Sequence, residues 1–249
     1  MAALTDFHSH ILPGIDDGSR STEESLAMLR MSAEQGTGCI FATPHFYPRY
    51  DDPERFLARR QAATEQLRAA MKEETGLPGL RLGAEVYYFS GMSDSEVLPR
   101  LTMEEMPCIL IEMPPAPWTP PMYRELEWVY TKQGLVPIIA HLDRYISPLN
   151  SHGIPRRLEE LPVMVQANAS FFLRRSTASY ALGLLKQDRI HLLGSDCHNL
   201  TDRAPNLGPA AQVIRQRLGW PAIKRIQQRE RELLSPDCEK EHFFQEVRI

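Results

Sequence analysis

The sequence predicts an α/β domain with parallel strands and helices packed outside them, arranged either as an open sheet or as a closed barrel. Short runs of β-branched and bulky apolar residues alternate with longer segments of helical character along most of the 249 residues. The chain is 43% hydrophobic, and no linker or low-complexity tract divides it. We therefore expect one domain over residues 1–249, with a core at 4–218 and a helix and tail at 219–249.

Seven runs have the length and composition of strands. They are residues 4–8, 39–43, 80–84, 108–112, 136–140, 163–167 and 190–194. Ser21 and Glu24 form a capping box, and Asp52 precedes a proline suited to a first helical turn. These signals predict helices over 22–35 and 53–74.

Other segments are predicted from proline and charge. Residues 91–106 and the proline-rich 113–121 are expected to be loops. The segment from Trp220 is expected to form a charged helix with a solvated surface, followed by a polar tail.

Composition limits the function classes. The chain has 28 basic and 32 acidic residues with no long basic run, so no nucleic-acid partner is expected. No signal peptide or 18-residue apolar run is present, which predicts no membrane insertion. The cysteines, which lie far apart and form no C-x-x-C pair, favour a reducing cytoplasm; they are Cys39, Cys108, Cys197 and Cys238.

Side chains able to bind a metal follow nearly every predicted strand. They are His8 and His10, His45, Glu85, Glu112, His141, and Asp196 with His198. Only the sixth strand breaks the pattern, because it ends in Asn168. Parallel α/β enzymes gather their active-site residues at the carboxyl ends of the strands, so these side chains predict a shared site.

A metal centre explains why so many imidazoles and carboxylates would be buried together. Without cations, like charges and unpaired polar groups would destabilise the pocket. With Asp17 added, the candidates exceed the roughly four to six ligands that one ion needs, which favours two or three ions. Any one motif could be an ordinary polar strand end. For all of them to be so, unrelated polar residues would have to occur by chance at the same end of nearly every strand. Nitrogen and oxygen ligands suit Mn²⁺, Zn²⁺, Fe or Mg²⁺.

The motifs also resemble a known family. HSHILPGIDDGS, TPHFYP, GAEVYY, LIEM, PIIAHLDRY and GSDCHNLTDR follow the order and spacing of the polymerase-and-histidinol-phosphatase (PHP) superfamily. Within it they are most similar to the bacterial metal-dependent protein-tyrosine phosphatases of capsular and exopolysaccharide systems. The resemblance covers about residues 4–218.

The resemblance implies a distorted (β/α)7 TIM-like barrel of the PHP type and a centre of three metal ions, with Mn²⁺ favoured. Its motifs assign nine ligands: His8, His10, Asp17, His45, Glu85, Glu112, His141, Asp196 and His198. Of the adjacent acidic pair, Asp17 is preferred over Asp16, whose contribution stays open. Arg144 and Arg203 match the phosphate-binding arginines of the tyrosine-phosphatase branch, although both could be surface salt-bridge residues.

The implied reaction is hydrolysis of a phosphotyrosine ester by metal-activated hydroxide, with the arginines neutralising phosphate oxygens. Cys197 and Arg203 have the C-x5-R spacing of thiol-dependent phosphatases, but a metal-activated hydroxide makes a cysteine nucleophile unnecessary. The general acid is not identified, and Asp143 fits better as a structural partner of Arg144. Aromatic residues such as Tyr47 and Tyr87 are placed either to stack on a phosphotyrosine ring or to pack beneath loops.

The implied partner is a phosphotyrosine-bearing protein, namely the tyrosine-rich tail of a bacterial tyrosine kinase that controls polysaccharide export. One alternative is a small-molecule phosphatase acting on histidinol phosphate. A PHP nuclease fits less well, because no basic strip is visible. A non-catalytic subunit that binds the kinase tail is a further alternative, although such a protein usually lacks some ligands.

Overall fold

The computed structural model describes residues 3–235. Within this part of the chain the strands are β1 Leu4–Ser9, β2 Thr37–Ala42, β3 His45–Phe46, β4 Gly79–Leu82, β5 Glu85–Tyr87, β6 Cys108–Glu112, β7 Val136–Ile139, β8 Met164–Asn168 and β9 Leu192–Gly194. The α-helices are α1 Thr22–Glu34, α2 Pro53–Met71, α3 Pro120–Gln133, α4 Ile154–Leu158, α5 Ala169–Leu173, α6 Ala178–Lys186, α7 Leu207–Leu218 and α8 Trp220–Leu233.

The strands form a curled parallel sheet, so the predicted α/β class is confirmed. β1 pairs with β2 and β2 with β4, while β3, β5, β6, β7, β8 and β9 form a second row of parallel neighbours. β3 continues the line of β2, and β5 that of β4. The first and last strands are also joined: the Asp196 amide donates to the His8 carbonyl over 2.8 Å, and the His10 amide to the Cys197 carbonyl over 2.9 Å.

Six of the seven predicted strands appear with small shifts of their ends, and 108–112 has the predicted bounds. The third predicted strand forms two separate strands, β4 and β5, because residues 83 and 84 between them are not in strand conformation. The second strand is likewise followed by a short piece that starts at His45, beyond Pro44. The Glu85 amide donates to the Pro44 carbonyl over 3.0 Å, which keeps the two pieces in register.

Both predicted helix starts are confirmed. Ser21 accepts a hydrogen bond from the Glu24 amide, and Asp52 accepts one from the Arg55 amide. The first helix ends at Glu34 and the second at Met71, slightly before the predicted ends. The predicted loop 91–106 contains two short 3₁₀ helices, and the proline-rich loop ends where Pro120 begins α3.

Helix α8 corrects the expectation of a solvated surface. Its charged face is exposed, but Ile223, Ile226 and Leu233 are buried. Leu233 belongs to the small apolar cluster inside the curled sheet, where Phe7 and Phe41 stack with ring centroids 5.3 Å apart. The helix therefore closes the end of the sheet at which the strands begin, which we call the floor; the opposite end is the mouth.

No helix within residues 3–235 is long and apolar enough to cross a membrane. The predicted polar tail beyond Ser235, with Cys238, lies outside the described residues.

Candidate metal centre

All nine residues predicted as metal ligands lie at the mouth, at or just beyond the carboxyl ends of the strands or at the start of the short pieces β3 and β5. Six are buried: His8, His10, Glu85, His141, Asp196 and His198. His45 and Glu112 are half-buried, and Asp17 is exposed in the turn after β1. The fold thus brings together every predicted position, although the residues span 190 positions of sequence.

Three groups of ligand atoms converge within this site, each with all of its atoms inside 4.8 Å. They are His10, Asp17, His45 and His198; His8, His10 and Glu85; and His45, Glu85 and Glu112. Because the groups share His10, His45 and Glu85, they form one connected cluster. Asp196 Oδ1 lies 3.5 Å from the Nε2 atoms of both His8 and His10, and His141 Nε2 lies 2.6 Å from Glu85 Oε1.

The cluster leaves several buried atoms without a hydrogen-bond partner. They are Glu85 Oε2, Glu112 Oε2, Asp196 Oδ1, His45 Nδ1, His141 Nδ1 and His198 Nε2. Such atoms are rare in proteins, because an unsatisfied buried polar group destabilises the fold by about 1–3 kcal/mol. His45 Nδ1 lies only 2.9 Å from Glu85 Oε2 without forming an aligned hydrogen bond. Atoms that converge without bonding one another fit the coordination of divalent cations.

The turn after β1 separates the roles of its two aspartates. Asp17 Oδ1 lies 3.4 Å from His45 Nε2 and 3.3 Å from His198 Nε2, among the ligand atoms. Asp16 instead accepts hydrogen bonds from His10 Nδ1 over 2.7 Å and from the backbone amides of Gly18 and His45. Asp16 thus orients His10 from behind and directs its Nε2 atom to the cluster.

Close packing holds this turn against His10. A Cβ atom on Gly18 would lie 2.1 Å from the His10 carbonyl oxygen, so only glycine fits there. Burial opposes ionisation of Asp16, but the hydrogen bond and charge of His10 outweigh it and hold the pKa of that carboxyl below its ordinary value. The family resemblance favoured Asp17 as the ligand but left the role of Asp16 open, because the sequence does not show in which direction each residue of a turn points.

Neighbouring charges give the buried acids at the mouth different pKa values, and burial together with the charge of Glu85 raises the pKa of Glu112. Burial alone would raise the pKa of Glu85, but the charge of His8 and the close approach of His10, His45 and His141 hold it well below the ordinary value. Burial would lower the pKa of His8, but the charges of Glu85 and Asp196 raise it. Positive charge at the centre of this cluster is therefore favourable.

Two candidate ligands have left-handed backbones. His141 has φ 31° and Asp196 has φ 53°, a region that non-glycine residues seldom adopt. Strained positions of this kind collect at functional sites, where the surrounding structure holds them.

Arg144 and Arg203 both reach the mouth and meet at Asp196. Arg144 Nη2 donates to Asp196 Oδ2 over 2.6 Å, and Arg203 Nη2 lies 2.8 Å from Asp196 Oδ1. Both side chains are about one third exposed, while the Nη2 atom of Arg203 is itself buried. Asp143 accepts a hydrogen bond from the Asn168 amide over 2.9 Å, so the structure gives it Asn168 rather than Arg144 as partner.

Sequence reasoning missed three polar residues of the site. Asp6 accepts hydrogen bonds from the His8 and Ser195 amides below the ligands, and burial raises its pKa to about 6. Gln166 and Asn168 of β8 lie beside His8, His141 and Asp196. Neutral amides give no metal-binding signal in a sequence, although the break in the pattern at Asn168 marked this strand as different.

The aromatic ring of Tyr47 stacks on His45 with centroids 5.1 Å apart, and Tyr87 lies 5.8 Å from it. Tyr47 therefore packs on a candidate ligand. Burial raises the pKa of the Cys39 thiol to about 11 and that of Cys197 further, so neither is a reactive thiolate.

The sequence model of the capsular polysaccharide synthesis family CpsB/CapC matches residues 4–234. The chain belongs to this family. The match includes α8, which extends it beyond the 4–218 covered by the motifs quoted above.

Relatives of this chain are named as phosphatases. It is 29% identical to the tyrosine-protein phosphatase CpsB of Streptococcus pneumoniae over 247 residues, which covers 90% of this chain and 94% of the relative. It is 28% identical to the tyrosine-protein phosphatase YwqE of Bacillus subtilis over 221 residues, covering 87% and 85%.

The fold is similar to a solved structure from a study of YwqE and CpsB, described there as unique metal-dependent tyrosine phosphatases. The TM-score is 0.79 at 23% identity, over 94% of this chain and 95% of the other. This likeness supports the architecture described above.

Proposed function

We propose that this protein is a metal-dependent phosphatase that removes phosphate from phosphotyrosine in a protein. The observation that carries the proposal is the set of three overlapping ligand groups at the mouth, with Arg144 and Arg203 beside them. The names of the CpsB and YwqE relatives support the reaction class.

The same observations support three divalent ions held by the nine predicted residues. The residues of the three ligand groups would hold these ions, and His10 would bind through Nε2, because its Nδ1 atom donates to Asp16. His141 and Asp196 complete the set from the adjacent strands. We propose Mn²⁺ as the resident ion, and Zn²⁺, Fe and Mg²⁺ also suit the nitrogen and oxygen donors.

Divalent ions held by these residues would supply a hydroxide near neutral pH, because coordination lowers the pKa of water towards about 7. The chain itself orients the phosphate. Arg144 and Arg203 present planar donor groups to the non-bridging oxygens, where charge must be held in the transition state. In the described structure both guanidinium groups contact the Asp196 carboxylate, so they would have to move from Asp196 to contact a bound phosphate.

The finer assignments follow the family context. We propose a PHP-type barrel as a single domain over 1–249, since α8 adds its buried face to the core. We propose the tyrosine-rich tail of a polysaccharide-export kinase as substrate, in keeping with the capsular family name. A cytoplasmic location is supported by the wide spacing of the cysteines.

The test is metal-restored turnover. The purified protein is stripped of metal, reloaded with Mn²⁺ or Zn²⁺ separately, and assayed with a phosphotyrosine peptide and with histidinol phosphate. We expect turnover of the peptide by the reloaded protein. Arg203→Ala should lower kcat/KM for the peptide about 10- to 100-fold, because a charge-assisted hydrogen bond contributes roughly 1.5–3 kcal/mol.

Arg217→Ala is the matched control, since Arg217 is an exposed arginine of α7 outside the mouth. Turnover of histidinol phosphate but not of the peptide would show that the substrate is a small molecule rather than a phosphoprotein. Absence of turnover with either metal would favour a subunit that binds a kinase tail. Equal activity of the two arginine variants would remove Arg203 from the site.

A further inference from the structure

We propose that Gln166 and Asn168 form a buried amide relay that positions the metal ligands His8, His141 and Asp196. This inference rests on the proposed metal centre but concerns residues that contribute no ligand atom to it. The relay occupies β8, the strand that carries no acid or histidine at its end.

Gln166 acts on two histidines through one oxygen. Its Oε1 atom accepts a hydrogen bond from the His141 amide over 2.6 Å and lies 3.4 Å from His8 Nδ1. With the proton on Nδ1 directed to this oxygen, the Nε2 atom of His8 is left as an electron-pair donor. That atom faces the cluster, 3.2 Å from Glu85 Oε2.

The bond to the His141 amide also holds a strained backbone. His141 has φ 31°, and its Nε2 atom lies 2.6 Å from Glu85 Oε1. Gln166 is fully buried, so its oxygen rather than bulk water satisfies the His141 amide.

Asn168 extends the relay to the last strand. Gln166 Nε2 donates to Asn168 Oδ1 over 3.1 Å, and Asn168 Nδ2 donates to Asp196 Oδ2 over 3.0 Å. Asp196 therefore has one oxygen fixed by Asn168 and Arg144, and its Oδ1 atom remains directed to His8 and His10.

The neighbouring strand is shaped around this relay. A Cβ atom on Gly194 would lie 2.6 Å from Gln166 Nε2 and 2.6 Å from His8 Cβ. A side chain at residue 194 would thus separate Gln166 from His8, so the absence of a side chain permits their contact.

The test is metal binding by the full chain, measured without substrate. Metal-free wild type, Gln166→Met, Gln166→Glu and Asn168→Asp are titrated with Mn²⁺ by calorimetry, and bound metal is counted by mass spectrometry. Gln166→Met removes both hydrogen-bonding groups at similar volume, and we expect about 10- to 100-fold weaker binding. Gln166→Glu keeps the oxygen that faces His8 and His141, and binding should recover at least in part.

Asn168→Asp provides a second variant of unchanged size in case Gln166→Met fails to fold. It replaces the amide donor with a carboxylate facing Asp196 Oδ2, so binding should weaken by about 10-fold. Gln133→Met is the matched control, because Gln133 donates to three backbone carbonyls in residues 92–95, away from the mouth. This control should lower Tm and leave Mn²⁺ affinity unchanged.

Wild-type affinity in both Gln166→Met and Asn168→Asp would overturn the relay, as would equal weakening in Gln133→Met. If wild-type protein binds Mn²⁺ but does not hydrolyse a phosphotyrosine peptide, the proposed phosphatase function is wrong. The Mn²⁺ affinities of these variants would still test the amide relay.

Discussion

The mouth and the floor of the curled sheet each contain a buried glutamate, and the two differ in charge. Glu85 at the mouth lies among four histidines that hold its pKa well below the ordinary value. Glu230 of α8 at the floor accepts a hydrogen bond from the Thr5 amide over 3.2 Å, and burial raises its pKa to about 8. Burial alone makes a carboxyl neutral; the mouth shows what a charged, cation-binding pocket requires in addition.

The same substitution at both ends should give the largest contrast. Glu85→Gln removes an anionic oxygen shared by two ligand groups, so kcat/KM for a phosphotyrosine peptide should fall more than about 100-fold, beyond the loss typical of a residue that only supports a ligand. Glu230→Gln should keep wild-type kcat/KM and Mn²⁺ content. Steady-state kinetics and metal analysis check both variants. A loss of turnover in Glu230→Gln would contradict the expectation that only the glutamate at the mouth takes part in activity.

The floor should instead control stability against pH. The folded pKa of Glu230, about 8, lies above its ordinary 4.5, so its contribution to the free energy of unfolding is full below pH 4.5 and is lost as pH rises through 8. The shift corresponds to at most ~5 kcal/mol at 1.36 kcal/mol per pH unit.

Urea unfolding of wild type and Glu230→Gln between pH 5 and about 9 checks this expectation. Glu230→Gln should lose less stability than wild type across that range, since a neutral amide does not titrate. Asp6, whose pKa is also raised, remains in both proteins, so the difference reports Glu230 together with its charge interaction with Asp6. Parallel curves for the two proteins would show that Glu230 does not titrate in this window.

A smaller effect should separate the two aspartates of the turn after β1. Asp16→Asn retains one oxygen but weakens the hydrogen bonds to His10 and the backbone, so Mn²⁺ affinity should fall about 10-fold with stoichiometry unchanged. Asp17→Asn replaces a candidate ligand, and the number of bound ions should fall. Calorimetric titration distinguishes affinity from stoichiometry. The reverse result would exchange the roles of the two residues.

The smallest effect is expected at Tyr47. Tyr47→Ala removes the ring that stacks on His45, a contribution of about 0.5–1.5 kcal/mol, and should lower kcat/KM up to about 10-fold. Tyr47→Phe keeps the ring and should stay within about twofold of wild type. A large loss in Tyr47→Phe would instead assign a role to the hydroxyl group.

Much of the mouth could be predicted from the sequence, because residues at the ends of parallel strands must meet at one edge. Glu112, for example, follows from the run 108–112, which the structure reproduces. Asp16 and Gln166 could not be assigned, because their roles depend on which atom a turn or strand directs at a neighbour. The spacing of Ile223, Ile226 and Leu233 is that of one helix face, but the many charged residues around them favoured the prediction of a solvated helix.

The join between β9 and β1 sets the order in which the site can be built during synthesis. The Ser195 amide bonds to Asp6, 189 residues earlier, beside the backbone bonds that link Asp196 to His8. On the ribosome the first histidines emerge early, but their last partners arrive only when most of the chain has been made. A truncated or stalled chain that lacks β9 would expose an unpaired strand edge and an incomplete ligand set. Binding of an ion by the group that contains His198 would therefore require that synthesis has passed the last strand.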